Sequence, residues 1–466
     1  MPPINISVDT AITVGPVIGL VTDTTARIAI EVDTAAEVTC IATDDSGHSI
    51  TMQKQLAKDR FTAFQLTGLE PGLSYKVTFE GADSPVASSF HTIATTPDRM
   101  NVCAVSCNFT IFREDTDCWR DLYDRNIKPG NIDLLVHIGD QIYGDSAFQE
   151  AESILDGDLF GSPDQQEQIR DLYRRLYRMT WRFPATRDVL ANVPNLMIWD
   201  DHEVRDDWGS RAGDNNPETQ AHHIGTLAHE VFREYQRQLW QDTGDWPTQR
   251  FEGHFHKWGE IGVLFVDQRG GRSFEYDPTR PYLGSQQWQE ISTALSPGGY
   301  FDDVRGLIVI TSVPLVYLGD AITNGGSGLV DDLQDHWAYG THRAEQVEML
   351  RALRKWKAVG GRELLVVGGD VHIGLHTDIK HNKETLFKQL ITSPMTNKPP
   401  GFLGFKALKG MLELEETLTD SYSFEHSDYT RLRNYGMILV RIPEDTTAIP
   451  KVSGGLEKPH NQKSRG

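Results

Sequence analysis

Five stretches of the chain end an apolar run in residues able to bind a metal or move a proton. Asn101–Ser106 runs into Cys107, and "IDLLVHIG" runs into Asp140 with Tyr143 three residues on. "LMIW" leads to Asp200, Asp201, His202 and Glu203, and "IGVLFV" to Asp267 and Arg269. "LLVVGG" leads to Asp370 and His372, with His376 beyond. In an open sheet with helical crossovers, ligands bind outside the carboxyl ends of the strands. Each residue has an ordinary reading by itself. A cysteine at a strand end is commonly a small buried hydrophobe, an Asp-Asp-His-Glu run a solvated turn or cap, and His372 and His376 structural histidines. Arg269 can be a phosphate fork or a surface ion pair with Asp267. Convergence changes the balance, because several carboxylates would then share one pocket. Two like charges about 4 Å apart repel by about 4 kcal/mol at an effective dielectric of ~20. Such a cluster must protonate or hold cations, and cations are the simpler answer.

The elements that must position these residues follow from the hydrophobic pattern. From Met100 onward, apolar β-runs alternate with helical stretches, the pattern of a buried sheet with flanking helices. The runs are Asn101–Ser106, Ile132–Ile138, Leu196–Trp199, Ile261–Val266, Leu307–Thr311, Leu364–Val367 and Tyr435–Ile442. Two helical insertions are expected, Gln165–Leu190 with a break at Pro184 and Leu227–Trp240. Residues 1–98 read as all-β: alternating runs such as Ala26–Val32 and Ser74–Phe79 are separated by turn signals at Asp44–Gly47 and Glu70–Gly72. The stretch "LTGLEPGLSYKVTFEG" resembles the late strands of a fibronectin type III-like sandwich, with an inward tyrosine after a turn. Ala94–Asp98 is the expected linker, and the Gly/Lys/Pro-rich tail 447–466 is expected to be flexible.

The blocks "GDQIY", "WDDHEV" and "GGDVHIG", in that order, resemble those of the calcineurin-like metallophosphoesterases. With Cys107 in "SCNF" and Asp in "GDVH", they are similar to the PhoD-like (alkaline phosphatase D) branch, as are "FVDQRGGR", "DHWAYGTHR" and "LITSP". The resemblance implies an α/β (α+β) fold: a four-layer α/β/β/α sandwich over residues 99–446, with helical insertions at about 150–195 and 208–258, behind the N-terminal β-sandwich. It also implies a ferric ion held by Cys107, Asp140, Tyr143 and His372. Asp140 would bridge to one or two calcium ions held by Asp201 and Asp370, with Asp200 as a further candidate. Thiolate and phenolate suit a ferric centre, and carboxylates suit calcium; a zinc or manganese site is the alternative.

The implied reaction is phosphoester hydrolysis, mono- or diester, by metal-bound hydroxide attacking phosphorus in line. His202 is then the candidate general acid, Glu203 the residue that orients it, and Arg269 a phosphate ligand. Asp335 and His336 are candidates for the entrance, and His376 keeps its structural reading. A catalytically weak metal- and phosphate-binding module, acting through its N-terminal domain, is the alternative. No G-x-S-x-G, HExxH or P-loop pattern is present.

Composition bounds these readings. The chain has 466 residues and a formal net charge of −21, from 45 Lys and Arg against 66 Asp and Glu. Phosphate neutralisation needs clustered Lys and Arg, so this balance opposes a nucleic-acid binder or a protein held to anionic membranes by its overall charge. Four cysteines at this length do not make a disulfide scaffold. No apolar run approaches the ~18 residues of a membrane span. Without an export signal the expected compartment is the cytoplasm, or the exterior if a signal has been removed. Substrate identity and oligomeric state are not encoded in any motif found.

Overall fold

Alternating β-branched and polar residues build eight strands before residue 92. They are β1 (Thr10–Val21), β2 (Thr25–Val32), β3 (Ala36–Asp44), β4 (Ser49–Leu56), β5 (Thr62–Thr67), β6 (Ser74–Glu80), β7 (Ala82–Asp83) and β8 (Ser88–His91). In this computed structural model the described residues are 10–109, 117–211, 213–248, 251–272, 282–318, 336–337, 339, 342–413, 416–419 and 421–459. The strands form two four-stranded sheets, in the orders β5-β2-β1-β7 and β4-β3-β6-β8. Both sheets contribute to one core, Ile18, Ile28 and Phe64 from the first and Val38, Cys40, Tyr75 and Phe90 from the second. Tyr75 points inward as its motif implied, and its hydroxyl accepts a 2.9 Å hydrogen bond from the Glu70 amide in the preceding turn.

The remaining strands are β9 (Arg99–Val105), β10 (Leu134–Ile138), β11 (Asn195–Ile198), β12 (His254–Trp258), β13 (Ile261–Val266), β14 (Gly306–Thr311), β15 (Glu363–Gly368), β16 (Gly374–His381), β17 (Glu384–Ile391), β18 (Glu416–Thr417), β19 (Tyr422–Thr430), β20 (Tyr435–Arg441) and β21 (Lys451–Glu457). They make a five-stranded sheet, β11-β10-β9-β20-β21, and an eight-stranded sheet, β12-β13-β14-β15-β17-β16-β19-β18. Strands β9, β10 and β11 are parallel in the first, and β13, β14, β15 and β17 in the second. All seven apolar runs expected from the sequence are strands here.

One face of each sheet joins a shared core: Val102, Val136 and Ile198 pack with Val263, Ile310 and Val367. On its other face the small sheet packs Cys103, Val105 and Leu135 beneath Trp119, Leu122 and Val189 from helices Asp117–Leu122 and Pro184–Leu190. The large sheet packs Leu264, Val309 and Val366 beneath Ile291, Leu350 and Trp356 from helices Ser285–Ala294 and Arg343–Lys357. Parallel strands covered on both faces explain why six of these runs are continuously apolar; the seventh, β20, is antiparallel to both its neighbours and alternates in burial.

Gln165–Leu190 divides as expected at Pro184, which takes the first position of its helix, where its missing N–H costs nothing. The tail expectation is corrected over Lys451–Glu457, while residues 460–466 lie outside the described residues. Lys451–Glu457 is β21, paired along its whole length with β20. Gly454 signals close packing instead of disorder: a Cβ there would stand 2.8 Å from Leu390 Cδ2 and 3.1 Å from Leu365 Cδ2 on the second sheet. No helix among the described residues is long and apolar enough to cross a membrane.

Candidate metal centre

Because β9, β10, β11, β13, β14, β15 and β17 are parallel within their sheets, each sheet gathers its carboxyl ends on one side. Loops after these ends meet: the Asn108 amide donates to the Asp140 carbonyl at 2.8 Å, and the Met395 amide to the Ser106 carbonyl at 2.9 Å. Closeness demands glycine at two points. A Cβ on Gly139, whose φ is +83°, would collide with Asp200 Cβ, and one on Gly369 would lie 2.8 Å from Ser106 Cβ. Four of the sequence-derived ligands adopt the left-handed backbone that side chains rarely take, Cys107 (φ 55°), Asp140 (57°), Asp370 (62°) and His372 (54°). Each such residue costs about 1–3 kcal/mol and persists only where its surroundings enforce it.

The convergence expected from sequence is present. Ligand atoms of Asp140, Asp200, Asp201 and Asp370 lie within 4.8 Å of one another, as do those of Asp140, Asp201 and His202. Cys107 Sγ is 3.4 Å from Asp140 Oδ2, and the Tyr143 hydroxyl 3.5 Å from the same oxygen. Asp140 Oδ1 is buried with no hydrogen-bond partner. Asn397 Nδ2 donates to the Tyr143 hydroxyl at 2.7 Å and lies 3.2 Å from His372 Nε2, which brings Tyr143 and His372 together.

Electrostatically the cluster is uncomfortable without cations. Burial, then the charges of Asp201, Asp200 and Glu203, push the Asp140 carboxyl far above its ordinary range, with His202 opposing. Burial and the Asp140 and Asp370 carboxylates push the Cys107 thiol up; burial, Cys107 and Asp140 do the same to Tyr143. Burial and the neighbouring His202 lower His372 to about 4, leaving a neutral imidazole, the form that ligates metals. Burial disfavours charge on His202, but Asp201, Asp145 and Asp140 outweigh it and raise its pKa well above the ordinary value. An orphaned carboxylate oxygen beside a thiol, a phenol and further carboxylates fits bound cations on chemical grounds.

Two expected roles are corrected. Glu203 does not orient His202. Its carboxylate accepts from the amides of Asp200 (2.7 Å), Gln141 (2.8 Å) and Asp140 (3.1 Å), and from Gln236 Nε2 (3.1 Å), so it ties the β10 and β11 loops together. Asp145 takes the orienting position instead, 3.0 Å from His202 Nδ1. Nor is Arg269 a surface ion pair with Asp267 or a fork open to phosphate. Its side chain is fully buried, paired through Nε with Asp200 and reaching Asp201 Oδ1 at 3.4 Å through Nη2. Asp267 binds Trp199 Nε1 and the amides of Arg269, Gly270 and Glu252, outside the metal-capable groups.

Asp200 also accepts from Ser312 at 2.9 Å, a contact no motif suggested. Ser393 donates to Cys107 Sγ at 3.0 Å. Ser312, Ser393 and Asn397 all follow parallel strands, so the carboxyl-end rule applied to β14 and β17 would have found them. His336 stands 3.7 Å from Asp370 Oδ2, consistent with its expected place near the site. Asp335 lies outside the described residues. His376 lies within β16, outside the metal-capable groups.

A model of the PhoD-like phosphatase family matches residues 102–448. The chain belongs to the PhoD-like phosphatase family. Among the described residues, the acidic cluster could bind a metal. A solved structure of PhoD superposes with a TM-score of 0.69 over 96% of this chain and 90% of that one, at 14% identity, a likeness of fold. The Saccharomyces cerevisiae protein YGR266W, described as uncharacterized, is 21% identical over 348 residues, 59% of this chain. The chain spans about half the length of that relative. A second model, described as a domain of unknown function (DUF7800), matches residues 9–93 and so coincides with the N-terminal β-strands.

Proposed function

We propose that this chain hydrolyses phosphoesters, as a phosphodiesterase and phosphomonoesterase of the alkaline phosphatase D type, at an iron–calcium centre. The observation that carries the reading is the meeting of four carboxylates from three strand ends within 4.8 Å, with a cysteine thiol and a tyrosine hydroxyl beside Asp140. Cys107, Asp140, Tyr143 and His372 would hold ferric iron. Asp140, Asp200, Asp201 and Asp370 would hold one or two calcium ions. Such cations, when bound, supply positive charge to the transferring phosphoryl group and acidify water. The domain division that accompanies this reading is a fibronectin type III-like accessory sandwich over 1–98 and a four-layer α/β/β/α catalytic domain over 99–446. The insertions at about 150–195 and 208–258 would shape its entrance.

The chain's own residues divide the remaining work. His202 would give a proton from Nε2 to the leaving oxygen, its ring held at Nδ1 by Asp145. Arg269 would fix Asp200 and Asp201 in place, and Glu203 would hold both ligand loops in register. The test is hydrolysis of bis- and mono-p-nitrophenyl phosphate. Chelation should abolish it and calcium restore it. Metal-replete protein that cleaves neither ester would contradict the proposal. The iron assignment has its own check, since thiolate- or phenolate-bound ferric iron absorbs visible light; colourless, iron-free active protein would refute it.

A further inference from the structure

The helix Phe402–Leu412, sequence FLGFKALKGML, is built almost entirely of apolar residues, yet only Leu412 in it is buried. Phe405, Leu408 and Met411 are partly buried against a cluster that includes Tyr317, Ile373, Leu375 and Ile391. Phe402 and Leu403 turn outward, 52% and 81% exposed. Large hydrophobic side chains exposed at consecutive positions occur nowhere else among the described residues. Isolated exposed hydrophobics are normal, but an adjacent pair on an apolar helix marks an interaction surface.

The charges around this helix say what it meets. In a chain of net charge −21, residues 398–412 carry Lys398, Lys406 and Lys409 and no acid. Lys406 Nζ lies 5.0 Å from the Phe402 ring centroid and the Arg431 guanidinium 5.7 Å from it, so two cations flank the exposed aromatic. Among the described residues, only Lys409 of these cations pairs with an acid, 3.3 Å from Glu413. An exposed apolar pair with Lys406 and Arg431 beside its aromatic ring matches a lipid–water interface, where hydrocarbon lies below and anionic head groups lie at the level of the cations. The acidic remainder of the molecule would be repelled from the same surface, which restricts docking to this one face.

We propose that the helix Phe402–Leu412 docks this chain on an anionic lipid surface, Phe402 and Leu403 entering the acyl boundary and Lys398, Lys406 and Arg431 meeting the head groups. The helix starts five residues after Asn397, which touches Tyr143 and His372, so docking would hold the mouth of the candidate centre against that surface. The docking itself does not rest on the phosphoesterase reading.

Flotation of the full chain with phosphatidylcholine vesicles, with and without phosphatidylserine, tests it. Binding is expected only with phosphatidylserine, weakening as salt rises. The double variant Phe402→Ser, Leu403→Ser and the double variant Lys398→Glu, Lys406→Glu should each lower the partition by about tenfold or more at unchanged melting temperature. Four results would overturn the proposal. They are no flotation, equal flotation with pure phosphatidylcholine, flotation indifferent to both variants, and a wild-type dimer in solution that Phe402→Ser, Leu403→Ser dissociates, which would assign the helix to a second copy of the chain.

Discussion

Asp140 receives Cys107 and Tyr143 at one carboxylate oxygen and leaves the other buried without a hydrogen bond. An uncompensated buried carboxylate is expensive, so this atom is better read as a ligand than as a structural acid. The residues around it divide into those that would face substrate and those that hold others. His202→Ala should keep the metals and lose about 10²–10⁴ in kcat, the usual worth of a general acid, as metal analysis beside kinetics would show. Glu203→Gln should do the reverse of a simple acid–base loss. With one charged acceptor removed from under three amides, metal affinity should fall about 10–100-fold, visible in a metal titration. Candidate ligands were legible in the sequence because position after a strand is a local property. The partners of Glu203 and Arg269 were not. Glu203 sits beside His202 in sequence, yet it turns to the amides of a different loop. The Arg269 guanidinium meets Asp200, while only its backbone amide meets its sequence neighbour Asp267. Such choices are made only when the strand ends meet.

At the scale of elements, six of the seven apolar runs are strands whose ends carry site residues, since a strand buried on both faces leaves a strong apolar signal. Strand β21 gives a weak one, because Gly454, required by the sheet below, mimics a flexible tail. Strand β12 gives no apolar run, because two of its three buried residues, His254 and His256, are histidines. His256 Nε2 donates to His254 Nδ1 at 2.7 Å, and His254 Nε2 to the Met197 carbonyl at 3.1 Å, while the His254 ring stacks between Trp240 and Phe265. Burial pushes His256 down to about 3, and burial with His256 lowers His254 well below its ordinary value. An unfolded histidine titrates near ~6.5, so below that pH the unfolded chain binds protons that the fold refuses. Stability is then fully present above pH ~6.5 and falls as pH drops towards ~3. His256 alone should cost about 2 kcal/mol at pH ~5. In urea unfolding at the two pH values, His256→Gln should lose correspondingly less stability between pH ~7 and ~5 than wild type. An equal loss would refute the assignment.

On the scale of the whole molecule, the N-terminal sandwich is bonded into the rest through buried polar groups. Glu31, wholly buried, accepts from Arg178 Nε at 2.6 Å, Thr13 Oγ1 at 3.0 Å and the Tyr235 hydroxyl. Arg27 Nε reaches the Gln238 carbonyl at 2.7 Å, and Trp258 Nε1 the Val21 carbonyl at 3.0 Å. Removing one partner of a buried ion pair costs about 3–5 kcal/mol, so Glu31→Ala should lower the melting temperature in one cooperative transition. Separate melting of a sandwich would contradict that coupling. Net charge also reads differently at this scale. A chain of −21 is a poor host for an anion until its buried carboxylates are counted as cation ligands. The most direct test is to measure metal content and bis-p-nitrophenyl phosphate turnover on the same preparations of wild type and Asp140→Asn. Wild type should carry bound metal and turn over, and Asp140→Asn should lose both while still melting cooperatively. Wild-type metal content or turnover in the variant would contradict the reading of Asp140 as the centre of a metal-dependent phosphoesterase.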